Sequence, residues 1–185
     1  KQKYSKIDVL LNNAGGANKT KQITTEGLEK TFATNQMNYF VLSTELLEII
    51  SESNDGRIVN VASNAHIGAE VDYKNINSEK SFSAWTSYCV SKLMNIMFTY
   101  QLSSIQDKVS VNVLHPGFVD TNIAGNEGNF IKYIVKLGAK MFARTVDSGA
   151  DSSIYLSTSD EVQNVSGKYF FKCKEIKSSR ASYNK

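Results

Sequence analysis

The run Ile7-Asp8-Val9-Leu10-Leu11-Asn12-Asn13-Ala14-Gly15-Gly16 sets the reading of the whole chain. Ile7–Leu11 is apolar for about the length of one strand, and the run then breaks into Asn and Gly. An apolar run without alternation, closed by turn formers, predicts a fully buried parallel strand leading into a tight loop. Small residues in such a loop let another backbone or a ligand come close. A plain strand-end turn fits the same letters, so this stretch bears on fold before function.

The pattern returns downstream. Arg57–Val61 (R-I-V-N-V) is a second apolar strand, followed by Ala62-Ser63-Asn64-Ala65-His66. Ser110–His115 (S-V-N-V-L-H) is a third, stopped at Pro116-Gly117 by the only proline in the chain. Gly167–Phe171 reads as a last strand. Helical periodicity fills the gaps. Leu28, Phe32, Met37, Phe40, Val41, Leu42, Leu46, Leu47 and Ile50 predict a long, largely buried helix from Thr25 to Ser51, with a break near Thr34-Asn35. Phe82 to Gln106 predicts a second buried helix, Phe130–Ala143 an amphipathic stretch, and Thr145–Ser157 a helix opened by a capping residue. Ile67–Ser81 is a long polar loop, a length more often functional than accidental. Strands alternating with helices imply a parallel α/β sheet with right-handed crossovers. Residues 1–185 read as a single domain, with a polar tail from Lys172 to Lys185 that should be flexible.

The bulk numbers exclude some classes. At 185 residues with 41% hydrophobic and 21% charged content, the chain has the make-up of one globular domain. Net charge is +3 with both signs interspersed, which argues against a nucleic-acid surface. No stretch approaches ~18 consecutive apolar residues, so no membrane-spanning segment and no signal peptide is expected. Cys89 and Cys173 lie far apart, which suits buried thiols or a reducing compartment better than a disulfide framework.

One pair stands out chemically. Tyr88 and Lys92, in Tyr88-Cys89-Val90-Ser91-Lys92, are four apart on a predicted helix and share a face. A phenol titrates near pH ~10, and a fixed cation beside it pulls that value toward neutrality. An ordinary helical pair gives the same spacing. In parallel sheets, however, ligands bind beyond the carboxyl ends of the strands. Asn12–Gly16, Ala62–His66 and Pro116–Thr121 all leave those ends, so Asn35, Ser63, Tyr88 and Lys92 can converge. Ser63 as a strand-end cap and Asn35 as a satisfied buried amide are the plainer alternatives. His66 is tempting as a base or metal ligand. With His115 the only other histidine and no carboxylate at ligand spacing, no metal site is expected. Phe118, Phe130, Met141 and Phe142 fit either a lipophilic pocket or core packing.

Those pieces carry a family resemblance. Asn12-Asn13-Ala14-Gly15 after a strand, Asn35, Arg57–Ser63 with Ala65-His66, Tyr88–Lys92 continuing as L-M-N-I-M-F-T, His115–Thr121 (H-P-G-F-V-D-T) and Ser166–Cys173 occur in the right order over nearly the whole chain. Together they resemble the short-chain dehydrogenase/reductases, most of all the retinol dehydrogenase-like branch that includes the WW-domain oxidoreductases. The resemblance implies a Rossmann-like, doubly wound, three-layer α/β fold and an NAD(P)-dependent alcohol/carbonyl oxidoreductase. It implies Tyr88 as general acid/base and Ser63 as donor to the substrate oxygen. Lys92 would bind the nicotinamide ribose and lower the Tyr88 pKa, and Asn35 would hold a relay water. Asn12, Ala14, Gly15, Tyr88, Lys92, Pro116, Gly117, Val119 and Thr121 would line the cofactor cleft, with Asn12 mainly steadying the sheet. NADP is the expected cofactor, with NAD the alternative. The substrate is a small, hydrophobic alcohol or carbonyl. A homo-oligomer pairing the two long helices is expected, as is a cytoplasmic location, or a membrane association if an N-terminal anchor precedes this sequence.

The chain departs from that pattern in one large respect. It shows no glycine-rich G-x-x-x-G-x-G turn, and its first strand corresponds to the family's fourth, leaving about 80 residues of the adenosine-binding half unmatched. That strand would be an open apolar edge. The alternative function is therefore a non-catalytic Rossmann-like fragment acting in association. Asn38 where the family usually has Gly, and Ala62 for a common Ser, are smaller departures.

Overall fold

The computed structural model describes residues 4–117 and 146–184. Five strands form one sheet in the order β1 (Val9–Asn12), β2 (Arg57–Val61), β3 (Ser110–Leu114), β4 (Tyr169–Phe171) and β5 (Lys174–Ile176). The first four are parallel neighbours and β5 is antiparallel to β4. The registers Asn12↔Asn60 and Val61↔Leu114 bring the carboxyl ends of the first three strands level. The residues just past those ends, Asn13–Gly15, Ala62–Ser63 and His115–Gly117, therefore lie side by side.

Helices cover both faces. Strand side chains alternate sides, so Ile58 and Val59 point oppositely. Ile58 and Val111 pack with Ile50 and Leu102, from α2 (Asn38–Ser51) and α3 (Ala84–Ile105). Val59, Val61, Leu114 and Phe170 pack with Leu156 of α4 (Val146–Thr158) on the other side. A three-layer, mainly parallel α/β sandwich results. No helix among the described residues is long and apolar enough to cross a membrane.

Four details differ from the expectations raised by the sequence. β1 is not fully buried: Leu11 is 43% exposed, because β1 has a strand neighbour on one side only among the described residues. The first long helix begins at Lys30 rather than Thr25, as α1 (Lys30–Phe32). Glu29 caps it, its two carboxylate oxygens accepting from Thr31 N (2.9 Å) and Phe32 N (3.0 Å), while Ile23 and Glu29 form an antiparallel bridge. α1 runs through a π-helical segment, Ala33–Met37, into α2, at the place where the sequence suggests a break. That helix is only partly buried, since Phe40, Val41 and Leu42 are 44–47% exposed.

The fourth difference is the tail. Residues 172–184, expected to fray, are built into the fold. Lys172 and Cys173 take positive φ (50° and 60°) and turn the chain from β4 into β5. A 3-10 segment, Arg180–Tyr183, then packs on α3. Val119 and Thr121, the aromatic and Met candidates Phe118, Phe130, Met141 and Phe142, and the 130–143 amphipathic stretch lie outside the described residues.

Candidate active site

The site is assembled by α3 crossing the carboxyl end of β2. Ser83 starts α3, its Oγ accepting from Thr86 N at 3.3 Å. Tyr88 and Lys92 follow one turn apart. Lys92 Nζ is buried and donates to Val61 O at 2.9 Å, a carbonyl at the strand end. Its ammonium sits 5.5 Å from the Tyr39 ring centroid and 5.9 Å from that of Tyr88, within cation–π range of both.

Ser63, two residues past β2, is extended (φ −155°, ψ 152°) and opens a 3-10 turn, Asn64–His66. Its Oγ accepts from Ala65 N at 3.2 Å and stands close enough to the Tyr88 phenol to pull that group's pKa down. The strand-end-cap reading of Ser63 is thus true, and it does not compete with the chemical one. The structure brings Ser63, Tyr88 and Lys92 together at one strand end.

Gly15 joins them from β1. A Cβ built on Gly15 would stand 3.0 Å from Asn35 Oδ1 and 3.2 Å from Lys92 Nζ, so any side chain there would crowd both. Asn35 is fully buried in the π-helical segment and clamps this loop: Gly16 N donates to its Oδ1 (2.8 Å), and its Nδ2 donates to Gly16 O (2.9 Å) and Ser91 Oγ (2.8 Å). Both amide hydrogens are therefore committed, the satisfied-amide arrangement. Asn12 turns away from the loop into the α2 side, donating to Ser43 Oγ (3.0 Å) and Asn60 Oδ1 (2.8 Å). Ala14 is exposed beside Gly15. Pro116 and Gly117 are half-buried beyond β3, Gly117 with φ +83° and its N–H on His115 Nδ1 at 3.2 Å.

The titration directions differ from the simple expectation. Burial pushes the Tyr88 phenol upward, and the neighbouring Ser63 hydroxyl pulls it down. The Lys92 ammonium is aimed at Val61 O and is itself depressed to about 8 by desolvation. A buried amine near 8 is close to half-neutral at mildly alkaline pH. His66 has both ring nitrogens in hydrogen bonds, to Ser63 O (2.7 Å) and from Ser179 N (3.1 Å).

Several participants carry no sequence signal. Ser91, the second partner of Asn35, lies inside the Tyr-to-Lys stretch where any residue type is unremarkable. Asn60 and Thr99 form a side-chain chain with Asn12 (2.8 and 2.9 Å). The two Asn are paired in register across β1 and β2, a relation visible only once the strands are aligned.

Comparison with known proteins adds the lineage. The short chain dehydrogenase family model matches residues 1–131. Retinol dehydrogenase 14 of Homo sapiens is 38% identical over 178 residues, covering 94% of this chain and 53% of that protein. Polyprenol dehydrogenase of Homo sapiens is 32% identical over 192 residues, covering 100% and 58%. The chain spans about half the length of the curated relatives it matches. Among solved structures, an uncharacterised protein of Mycobacterium Paratuberculosis has a TM-score of 0.73 at 24% identity, over 99% of this chain and 63% of that one. Gluconate 5-dehydrogenase of Burkholderia cenocepacia, in complex with NADP and tartrate, has a TM-score of 0.67 at 19% identity, over 92% and 64%. At these identities the structural matches speak to fold alone.

Proposed function

The chain belongs to the short-chain dehydrogenase family, and from that premise we propose that it is the catalytic part of an NAD(P)-dependent oxidoreductase interconverting a hydrophobic alcohol and its aldehyde or ketone. The observation that carries this reading is the meeting of the Ser63 and Tyr88 hydroxyls beside the buried Lys92 ammonium. The names of the relatives, retinol and polyprenol dehydrogenases, support an apolar alcohol as substrate.

The cleft fits a nicotinamide nucleotide. Gly15 leaves open the space that a Cβ would fill beside Lys92 Nζ. An ammonium carries three N–H donors, and Val61 O takes one. Lys92 would hold the ribose hydroxyls, with Tyr88, Ala14, Gly15, Pro116 and Gly117 along the cleft, Asn12 steadying the strand beneath, and Val119 and Thr121 beyond the described residues. The bound nucleotide supplies hydride exchange at the substrate carbon. NADP is the preferred form, NAD the alternative.

The chain's own residues handle the proton. In the reducing direction Tyr88 gives its phenolic hydrogen to the carbonyl oxygen, and in the oxidising direction it takes the alcohol hydrogen back. Ser63 donates to the same oxygen, where negative charge develops. The upward push of burial keeps Tyr88 protonated, which favours the acid role; the Lys92 charge is stronger as a counter-ion below about pH 8 than above it. Asn35 fixes Gly16 and, through Ser91, α3. A relay water at Asn35 would meet acceptor oxygens only, since both Nδ2 hydrogens are committed. The exposed Phe40, Val41 and Leu42 on α2 support a homo-oligomer built on the long helices, checked by sedimentation of wild type against Phe40→Glu.

The test begins with calorimetry of NADPH, then NADH, against this chain, followed by a carbonyl screen. Tyr88→Phe should lower turnover by about 10²–10⁴-fold, the range of a lost general acid, while its melting temperature and cofactor affinity stay near wild type. Turnover that survives in Tyr88→Phe overturns the assigned role. A folded sample that binds neither nucleotide favours the association-only alternative, for which the exposed β1 edge would be the contact.

A further inference from the structure

Ser63 lies beyond the end of its strand, where ladder hydrogen bonds no longer fix it. Its carbonyl accepts from His66 N (3.2 Å) and pairs with His66 Nδ1 (2.7 Å). On the opposite edge of the ring, Ser179 N–H meets Nε2 at 3.1 Å. A backbone N–H can only donate, so Nε2 is the acceptor. In the neutral ring Nδ1 then carries the hydrogen and donates to Ser63 O. Burial lowers the His66 pKa and favours that neutral form. The ring is 1% exposed and packs edge-on against Tyr169 at 5.3 Å, so it has little room to swing.

The far end is equally fixed. Tyr100 OH pairs with Ser178 Oγ (2.7 Å), Ser178 Oγ with Ser182 Oγ (2.6 Å), and Ser182 Oγ donates to Ser179 O (2.7 Å). Tyr183 stacks on Tyr100 at 5.2 Å. Tyr100 belongs to α3, the helix that also carries Tyr88. A closed loop of contacts thus runs from Tyr88 to Ser63, through His66 and Ser179, and back through Ser178 to α3.

We propose that His66 is a positioning residue for Ser63, clasping the Ser63 turn to the C-terminal 3-10 segment so that α3 sets both sides of the Ser63–Tyr88 contact. This rests on Ser63 being the donor to the substrate oxygen. A donor aimed at developing charge must be held within about 0.5 Å by a supporting shell, and a single strand-end turn supplies little of that by itself. The C-terminal segment is then part of the active-site scaffold.

Amide hydrogen exchange on the 185-residue chain tests the clasp without any need for activity. His66→Phe fills the space but removes both side-chain hydrogen bonds. Exchange should quicken by about 5-fold or more at Ser179 and at Ala65, whose N–H bonds Ser63 Oγ, as for a lost hydrogen bond worth about 1 kcal/mol, while the β2 and β3 amides stay unchanged. His66→Asn keeps a donor near Ser63 O but does not reach Ser179, so it should restore protection at Ala65 and not at Ser179. In protein that turns over, His66→Phe should lower kcat by about 10–100-fold, as for an ångström-scale misplacement, with nucleotide affinity within about 2-fold. Unchanged exchange at Ala65, faster exchange across the whole sheet, or an unchanged kcat each overturns the proposal. Wild-type protein without turnover speaks against the oxidoreductase reading instead, and the exchange result still decides the clasp.

Discussion

The two faces of the sheet bury polar groups in different ways. On the α4 face, Arg57 and Asn112 point among apolar neighbours; Arg57 holds the Asp55 carboxylate through Nε and Nη2, and its Nη1, like Asn112 Nδ2, donates to backbone carbonyls. Arg57 Nη1 bonds Leu156 O (3.2 Å) and Ser159 O (2.9 Å) at the end of α4, and Asn112 Nδ2 bonds Val165 O. The apolar core of that face includes Val59, Val61, Leu114, Leu156, Val162 and Phe170. On the α2/α3 face, buried side chains bond one another: Ser43 to Asn12, Asn12 to Asn60, Asn60 to Thr99. Nearer the site, Asn35 bonds Ser91, and Lys92 sits in the same layer. Side-chain networks of this kind specify one arrangement but add little net stability. Both faces hold apolar core, but the face beside the catalytic candidates also carries the side-chain network.

Substitutions can break this contrast, beginning with the largest effect. Leu156→Ala, at a 1% exposed position on the α4 face, should cost about 2–5 kcal/mol in urea unfolding. Nucleotide affinity should hold wherever the variant stays folded. Comparable loss of affinity with no loss of stability would show that the faces are not separable.

Lys92→Met should act in the opposite direction. Burial holds this amine near 8, against a usual 10.5. The folded chain therefore binds fewer protons than the unfolded chain between about pH 8 and 10.5, and the Lys92 contribution to stability rises with pH across that window. Below about 8 its desolvation cost is fully present, on the order of 1–3 kcal/mol. The Met variant should be more stable than wild type at pH 7, the gap closing by about pH 10, and it should lose turnover. A Met variant less stable at pH 7 would mean that the Val61 and aromatic contacts outweigh desolvation.

Asn60→Ala should cost less, about 1–2 kcal/mol, because its partners keep other bonds: Asn12 to Ser43 Oγ, and Thr99 Oγ1 to Asn95 O (2.8 Å). Turnover should fall with it if the network transmits position to the site. Smallest is a chemical contrast. Burial raises the Cys89 thiol to about 11, so mass spectrometry should find it alkylated by iodoacetamide more slowly than the half-buried Cys173 at pH 8. Equal rates would show that the α3 region opens readily.

Much of this was legible in the sequence. Arg57–Val61 is a strand from end to end as its apolar run predicts, and Ala84–Ile105 falls within two residues of the predicted helix. Elsewhere local signals misled. Lys172-Cys173 makes a turn with positive φ that sequence reading assigns to Asn-Gly pairs, so the β4–β5 hairpin carried no flag. The apolar periodicity from Leu28 onward places the helix start at Thr25, whereas the capping carboxylate of Glu29 sets it. Leu11 reads as core and is exposed, because burial of a strand depends on how many neighbours it has.

By itself the sequence determined the order of strands and helices, and it put Tyr88 and Lys92 on one helical face, since both follow from short-range periodicity. The tertiary structure decided how those groups behave. It aimed Lys92 at Val61 O rather than at the phenol, set both pKa directions by burial, committed Asn35 to Gly16 and Ser91, and tied Ser63 through His66 to Ser179. Desolvation and hydrogen bonds between residues far apart in the chain do not exist until the layers pack.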